Sequence, residues 1–149
     1  MLNQELFKAT GFISIKLFDK DGNLKDQRDI KNVVVTVGKN YLAAWLAAAS
    51  QAGYFMQYIG LGTGTNAAVA GDTALQTELA TRVAGTLSSS TNVWQNVAVF
   101  GAGVDTGAIS EAGLFSAGAA GTLFARQVFS VINKAAGDSL QVTWQVTFS

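Results

Sequence analysis

The chain has 149 residues, the size of one domain, and its 49% apolar content is enough to bury a core and to exclude intrinsic disorder. Ten Lys and Arg balance ten Asp and Glu, and charged residues are only 13% of the chain, against an average of about 25%, so a sequence-independent grip on nucleic acid is not expected. The absence of Cys and His removes thiolate nucleophiles, disulfides, Cys/His zinc sites and the commonest proton carrier near neutral pH.

Residues 1–11 precede the first strand and mix Leu2, Leu6 and Phe7 with Glu5 and Lys8. They read as an arm that orders against a partner or as a frayed terminus. Glu5, Lys8 and Lys16 interrupt the apolar positions, so the layout of a signal peptide is not seen. Ile13, Ile15 and Leu17 share a strand face before Asp21-Gly22, a pair suited to a hairpin turn. A second strand returns through Leu24 to Val37, and its β-branched run Val33–Val37 fits a pleated surface.

Tyr41, Leu42, Trp45, Leu46 and Ala49 recur at helical steps among alanines, predicting one α-helix at about 39–50 with Gly53 as a terminator. The longest apolar run, Tyr41–Ala49, is far short of the ~20 residues that span a membrane. A strand is expected over Tyr54–Leu61, then a Gly/Thr/Ala loop and a helical turn near Thr73–Leu79 capped by Asp72 or Thr73. Strands are predicted over Arg82–Leu87, Val93–Phe100, Ala108–Phe115 and Leu123–Ile132. The last element is the clearest, because Leu140, Val142, Trp144, Val146 and Phe148 alternate with polar residues. The expected fold is therefore mainly β: an antiparallel, jelly-roll-like β-sandwich of about eight strands over residues 12–149, carrying one helix.

Most candidate chemistry fails on spacing. Asp19, Asp21 and Asn23 alternate like calcium ligands, but the glycine and twelfth-position glutamate of an EF-hand are out of register. Gly60–Thr65 resembles a phosphate cradle without the lysine that a nucleoside triphosphate loop requires. Glu78 lies four residues before Arg82, a helix-type pair, and Glu111 is within cross-strand reach of Arg126, an expected structural ion pair. Trp144 belongs to the core, whereas Trp94 is the more exposed tryptophan and the candidate for a sugar platform. No catalytic residue, metal or cofactor is assigned. Twelve of the 20 charged residues fall within residues 1–39, so much of the remaining surface is expected to be covered by other subunits, the alternative being that Ser, Thr, Asn and Gln solvate it.

The segments IGLGTGTNAAVAGDTALQTELATRVA, ISEAGLFSA, TLFARQVFSVINKAAGDSLQVTWQVTF and VVTVGKNYLAAWL, taken in order over roughly residues 33–148, resemble a group of small tailed-bacteriophage virion proteins. The resemblance implies a structural role in the particle, as a capsid decoration (cement) protein or a tail-associated component. The short chain and charge-poor C-terminal part favour decoration: a homotrimer on the capsid surface, made in the host cytoplasm, bracing adjacent subunits of the major capsid protein. No direct nucleic-acid or membrane partner is implied. Leu2, Leu6 and Phe7 of the arm and Thr63, Thr65, Asn66 and Val69 of the long loop are the candidate contacts. The alternatives are a tail or baseplate component, or a carbohydrate-binding module for host recognition.

Overall fold

The computed structural model describes residues 8–48 and 55–149. Nine antiparallel strands run in chain order: β1 (Ala9–Phe18), β2 (Leu24–Val34), β3 (Tyr58–Gly62), β4 (Glu78–Ala84), β5 (Thr86–Ser90), β6 (Val93–Phe100), β7 (Gly107–Phe115), β8 (Leu123–Lys134) and β9 (Ser139–Phe148), with one helix, α1 (Thr36–Ala47), after β2. The fold is mainly β and antiparallel, as the alternation predicts. All nine strands form one sheet in the order β4-β3-β7-β8-β2-β1-β9-β6-β5.

The sheet curls into two facing layers. β2 pairs along most of its length with β1, but its last two residues, Val33 and Val34, pair with Arg126 and Ala125 of β8. It therefore passes from one layer to the other. The two edges of the sheet, β4 and β5, are separated in sequence only by Gly85, so the chain itself nearly closes the sheet into a barrel. Closure protects edges that would otherwise invite pairing with other chains. The predicted single strand Arg82–Leu87 is thus two strands on opposite edges, and the total is nine. At the break Gly85 lies against Asn96, which is fully buried and donates from Nδ2 to the carbonyls of Met56 and Gln57, and a Cβ at position 85 would stand 1.7 Å from its Oδ1.

Between the layers, Ile13, Ile15, Val142 and Trp144 on one side meet Ile59, Leu61, Ile109 and Leu114 on the other. Each of these side chains is wholly buried. The predicted alternation of β9 is realised along its length, with β1 on one side and β6 on the other.

The helix begins three residues before its predicted start. Val35 is the N-cap and donates its amide to the Phe124 carbonyl (3.0 Å), which ends β2 and turns the β-branched pair Thr36-Val37 into the first helical turn. Tertiary docking overrides local preference here. Gly38 is the only buried helical residue, because a Cβ there would meet the Phe124 carbonyl oxygen at 2.4 Å and its Cα at 2.6 Å. Backbone cannot yield as a side-chain tip can, so Gly38→Val is expected to lift α1 from β8 and cost about 1–3 kcal/mol, measured by urea denaturation. Ala49, Gly53 and Tyr54, named in the expected helix, its terminator and the start of the next strand, lie outside the described residues. Residues 9–11 of the expected arm belong to β1, which begins at Ala9, and Lys8 exchanges backbone hydrogen bonds with Ser149. Leu2, Leu6 and Phe7 lie outside the described residues.

Candidate functional site

The loop between β3 and β4 holds the Gly/Thr motif, and it is organised around Glu111. In the β7–β8 register Glu111 faces Val128 and Arg126 faces Gly113, so the two charged side chains are diagonal neighbours on one face. They form the expected ion pair, with Arg126 donating from Nη2 at 2.8 Å and from Nε at 2.9 Å to Glu111 Oε2. Both side chains are essentially inaccessible to solvent, at 2% and 0% exposure.

The remaining valences of the carboxylate are filled by loop backbone. Oε1 accepts the amides of Gly64 (3.0 Å) and Thr77 (2.7 Å), and Oε2 accepts that of Gln76 (3.0 Å). A Cβ at Gly62 or Gly64 would stand 2.5 Å from Glu111 Oε1. The glycines therefore do let backbone close around an anion, as in a phosphate cradle, but the anion is the protein's own glutamate. The spacing that suggested a nucleotide loop is explained by an internal ligand.

Arg126 extends the network outward. Its Nη1 donates to Asp72 Oδ2 (2.9 Å) and its Nη2 to the Asn66 carbonyl (3.0 Å), while Asp72 also accepts the Val69 amide (2.9 Å). Gln76 Oε1 takes the amides of Thr65 and Asn66, each at 2.8 Å, and Ser110 Oγ donates to the Gly64 carbonyl. The predicted helical turn over Thr73–Leu79 does not form, because Glu111 takes the amides of Gln76 and Thr77 that a helix would need, and β4 starts at Glu78. Asp72 serves this network and caps no helix.

Burial would push the Glu111 carboxyl up, but the amides of Thr77 and Gln76 and the Arg126 guanidinium outweigh it and hold the group below the ordinary glutamate range. Such a carboxylate is a fixed anion and not a poised acid. The loop it holds carries the candidate contacts outward: Thr63, Thr65, Asn66 and Val69 are all exposed.

The other candidates are dispersed. Glu78 and Arg82 do pair, but in a strand: the β3–β4 ladder sets Gly60 opposite Arg82 and Gly62 opposite Glu78, and this irregularity shortens the gap between them. Arg82 also lies 3.5 Å over the Phe115 ring. Asp19 accepts the Asp21 and Asn23 amides at the hairpin tip, Asp138 binds Lys25 (2.7 Å), and buried Lys134 donates to the Gly101 carbonyl (2.8 Å). Among the described residues, no group of three or more acidic side chains is placed to hold a metal ion.

Trp144 is fully buried, and Trp94 lines an apolar groove of about 620 Å³ with Tyr41, Trp45, Phe55, Phe124 and Phe148. The groove could not be read from sequence, since it gathers residues from α1, β6, β8 and β9. The same holds for Asp72, Gln76 and Asn66, which reach Arg126 or Glu111 only after the loop folds over β7 and β8. No protein-family model matches the chain, and comparison with curated proteins and with solved structures finds no match.

Proposed function

We propose that this chain is a non-enzymatic structural protein of a tailed-bacteriophage virion, a capsid decoration protein that braces adjacent subunits of the major capsid protein. The observation that carries this reading is the pinned loop: Thr63, Thr65, Asn66 and Val69 project, exposed and uncharged, from backbone held by a buried ionic network. A loop already fixed before contact loses little conformational entropy on docking, so more of its buried area appears as affinity. The scarcity of charge after residue 39 fits a surface destined for contact. Addition of subunits that bind only the assembled shell would stabilise it by mass action. A homotrimer at symmetric capsid positions is the assembly proposed.

The sugar-platform alternative is less well supported. The groove beside Trp94 is walled mostly by Phe, Trp, Leu, Val and Met carbon, with Tyr41 as its one hydroxyl-bearing side chain, whereas sugar hydroxyls need several convergent polar groups.

The test is sedimentation of the purified chain with capsid shells that lack it, combined with labelled electron microscopy of whole particles. Saturable binding to shells, abolished by Thr65→Asp with Asn66→Asp, is the expected result. Label on isolated tails and not on heads would move the protein to the tail. A stable monomer in light scattering that binds no shell would overturn the reading.

A further inference from the structure

The ten lysines and arginines are used unevenly. Lys20, Lys25, Arg28, Arg82 and Arg126 make ion pairs, and Lys134 is buried against the Gly101 carbonyl. Four cations remain without an ion pair among the described residues: Lys8, Lys16, Lys31 and Lys39. Three of these four, from three different elements, surround one cavity of about 320 Å³: Lys8 at the foot of β1, Lys31 of β2 and Lys39 in the first turn of α1. No acidic residue lines that cavity among the described residues. Mutual repulsion among unpaired ammonium groups disfavours such convergence unless something anionic compensates it.

Two further observations point the same way. The α1 N-terminus has no side-chain cap and no acidic residue in its first turn. Lys39 stands in that first turn, the reverse of the usual preference for acidic residues there. Beside it, Asn32 also lines the cavity, with both amide atoms closed to solvent and without a hydrogen-bond partner, which is rare for buried polar atoms. Asn32 is opposite Gly11 in the β1–β2 ladder, and a Cβ at Gly11 would stand 1.8 Å from its Oδ1. The glycine leaves room for the amide to lie against β1.

We propose that this cavity is a docking site for a carboxylate-bearing acidic segment of a partner protein, gripped by Lys8, Lys31 and Lys39 with Thr10 at its margin. The choice of a protein partner rests on the structural reading above. Lysines that ring one small cavity fit a compact cluster of carboxylates, whereas a nucleic-acid backbone calls for cations along a track.

A hexaglutamate peptide is the probe, titrated into the full chain by calorimetry. Saturable binding is expected, with affinity falling as salt rises and weakened at least about tenfold by Lys31→Glu with Lys39→Glu. Lys16→Glu makes the same kind of charge change outside the cavity and is expected to leave binding intact; circular dichroism checks that every variant folds. Absence of binding overturns the proposal, as does equal weakening by Lys16→Glu. Inorganic phosphate bound as tightly as the peptide, through the same lysines, would reduce the cavity to an unselective small-anion site. Tighter binding of duplex DNA would replace the protein partner with nucleic acid. Because the titration uses no particle, failure here with shell binding intact removes only this site, and hexaglutamate binding without shell binding removes only the capsid role.

Discussion

Replacing Arg126 with methionine is expected to destabilise the fold by about 3–5 kcal/mol, the usual cost of leaving a buried charge without its partner. Glu111 would keep its three backbone amides but lose its counter-charge while remaining closed to solvent. Asp72 and the Asn66 carbonyl would lose their donor at the same time. The expected readout is a lower urea midpoint, together with faster hydrogen exchange at the amides of Gly64, Gln76 and Thr77, which Glu111 holds. Glu111→Gln combined with Arg126→Met should cost less than the two single changes added together, because removing both charges leaves neither stranded. Additive losses would mean that the two side chains stabilise the fold independently. Shell binding should fall with loop order, since the contact residues hang from the same backbone.

The same carboxylate sets a pH dependence. Its folded value lies below the ordinary glutamate value, so the folded state binds the proton less tightly than the unfolded chain does. The resulting stability is fully present above the unfolded glutamate range and is lost as pH falls through that range towards the depressed folded value. Asp105 works in the opposite direction, because burial raises its carboxyl above the ordinary aspartate range. Its contribution favours the fold as pH falls. Hydrogen bonds also hold Asp19, Asp26 and Asp138 below the ordinary aspartate range, so urea midpoints measured between pH 7 and pH 3 should decline for the parent chain, and the decline should be shallower for Glu111→Gln, which has no carboxyl to protonate at that site.

The strands that sequence revealed best are those whose neighbours repeat one simple environment. β9 lies between β1 and β6, with one face always inward, and its period of two follows directly. β6 is likewise bounded as predicted. Elements whose limits depend on a distant contact were less legible. Nothing local in Thr36-Val37-Gly38 announces a helix; the Phe124 backbone supplies the surface that Gly38 alone can approach. Arg82–Leu87 reads as one strand across Gly85, although a glycine inside a strand often marks a close backbone approach; there it lies against the buried Asn96 amide, and β4 and β5 part. At the site, Glu111 and Arg126 were legible because neighbouring strands place them by register. The anion that the glycines enclose was not, since it comes from a strand 47 residues further along the chain.

Trp144→Ala is expected to cost about 3–5 kcal/mol, the range for removing a large aromatic from a closed core. Trp144 is the largest of the fully buried side chains and sits mid-strand opposite Ile13 and Asn96, both also wholly buried. Neither flanking strand can move inward without breaking its ladder with β9, so the vacated space would persist as a cavity. The indole Nε1 is buried and has no hydrogen-bond partner among the described residues, so no polar contact is lost with the ring. Trp144→Phe should therefore cost well under half as much as the alanine change, because it keeps an aromatic ring and removes an unpaired donor. Urea denaturation with an unchanged slope would place both effects in the folded state. Equal losses for Phe and Ala would instead mean that the indole nitrogen contributes a bond and that the tryptophan acts through more than its volume.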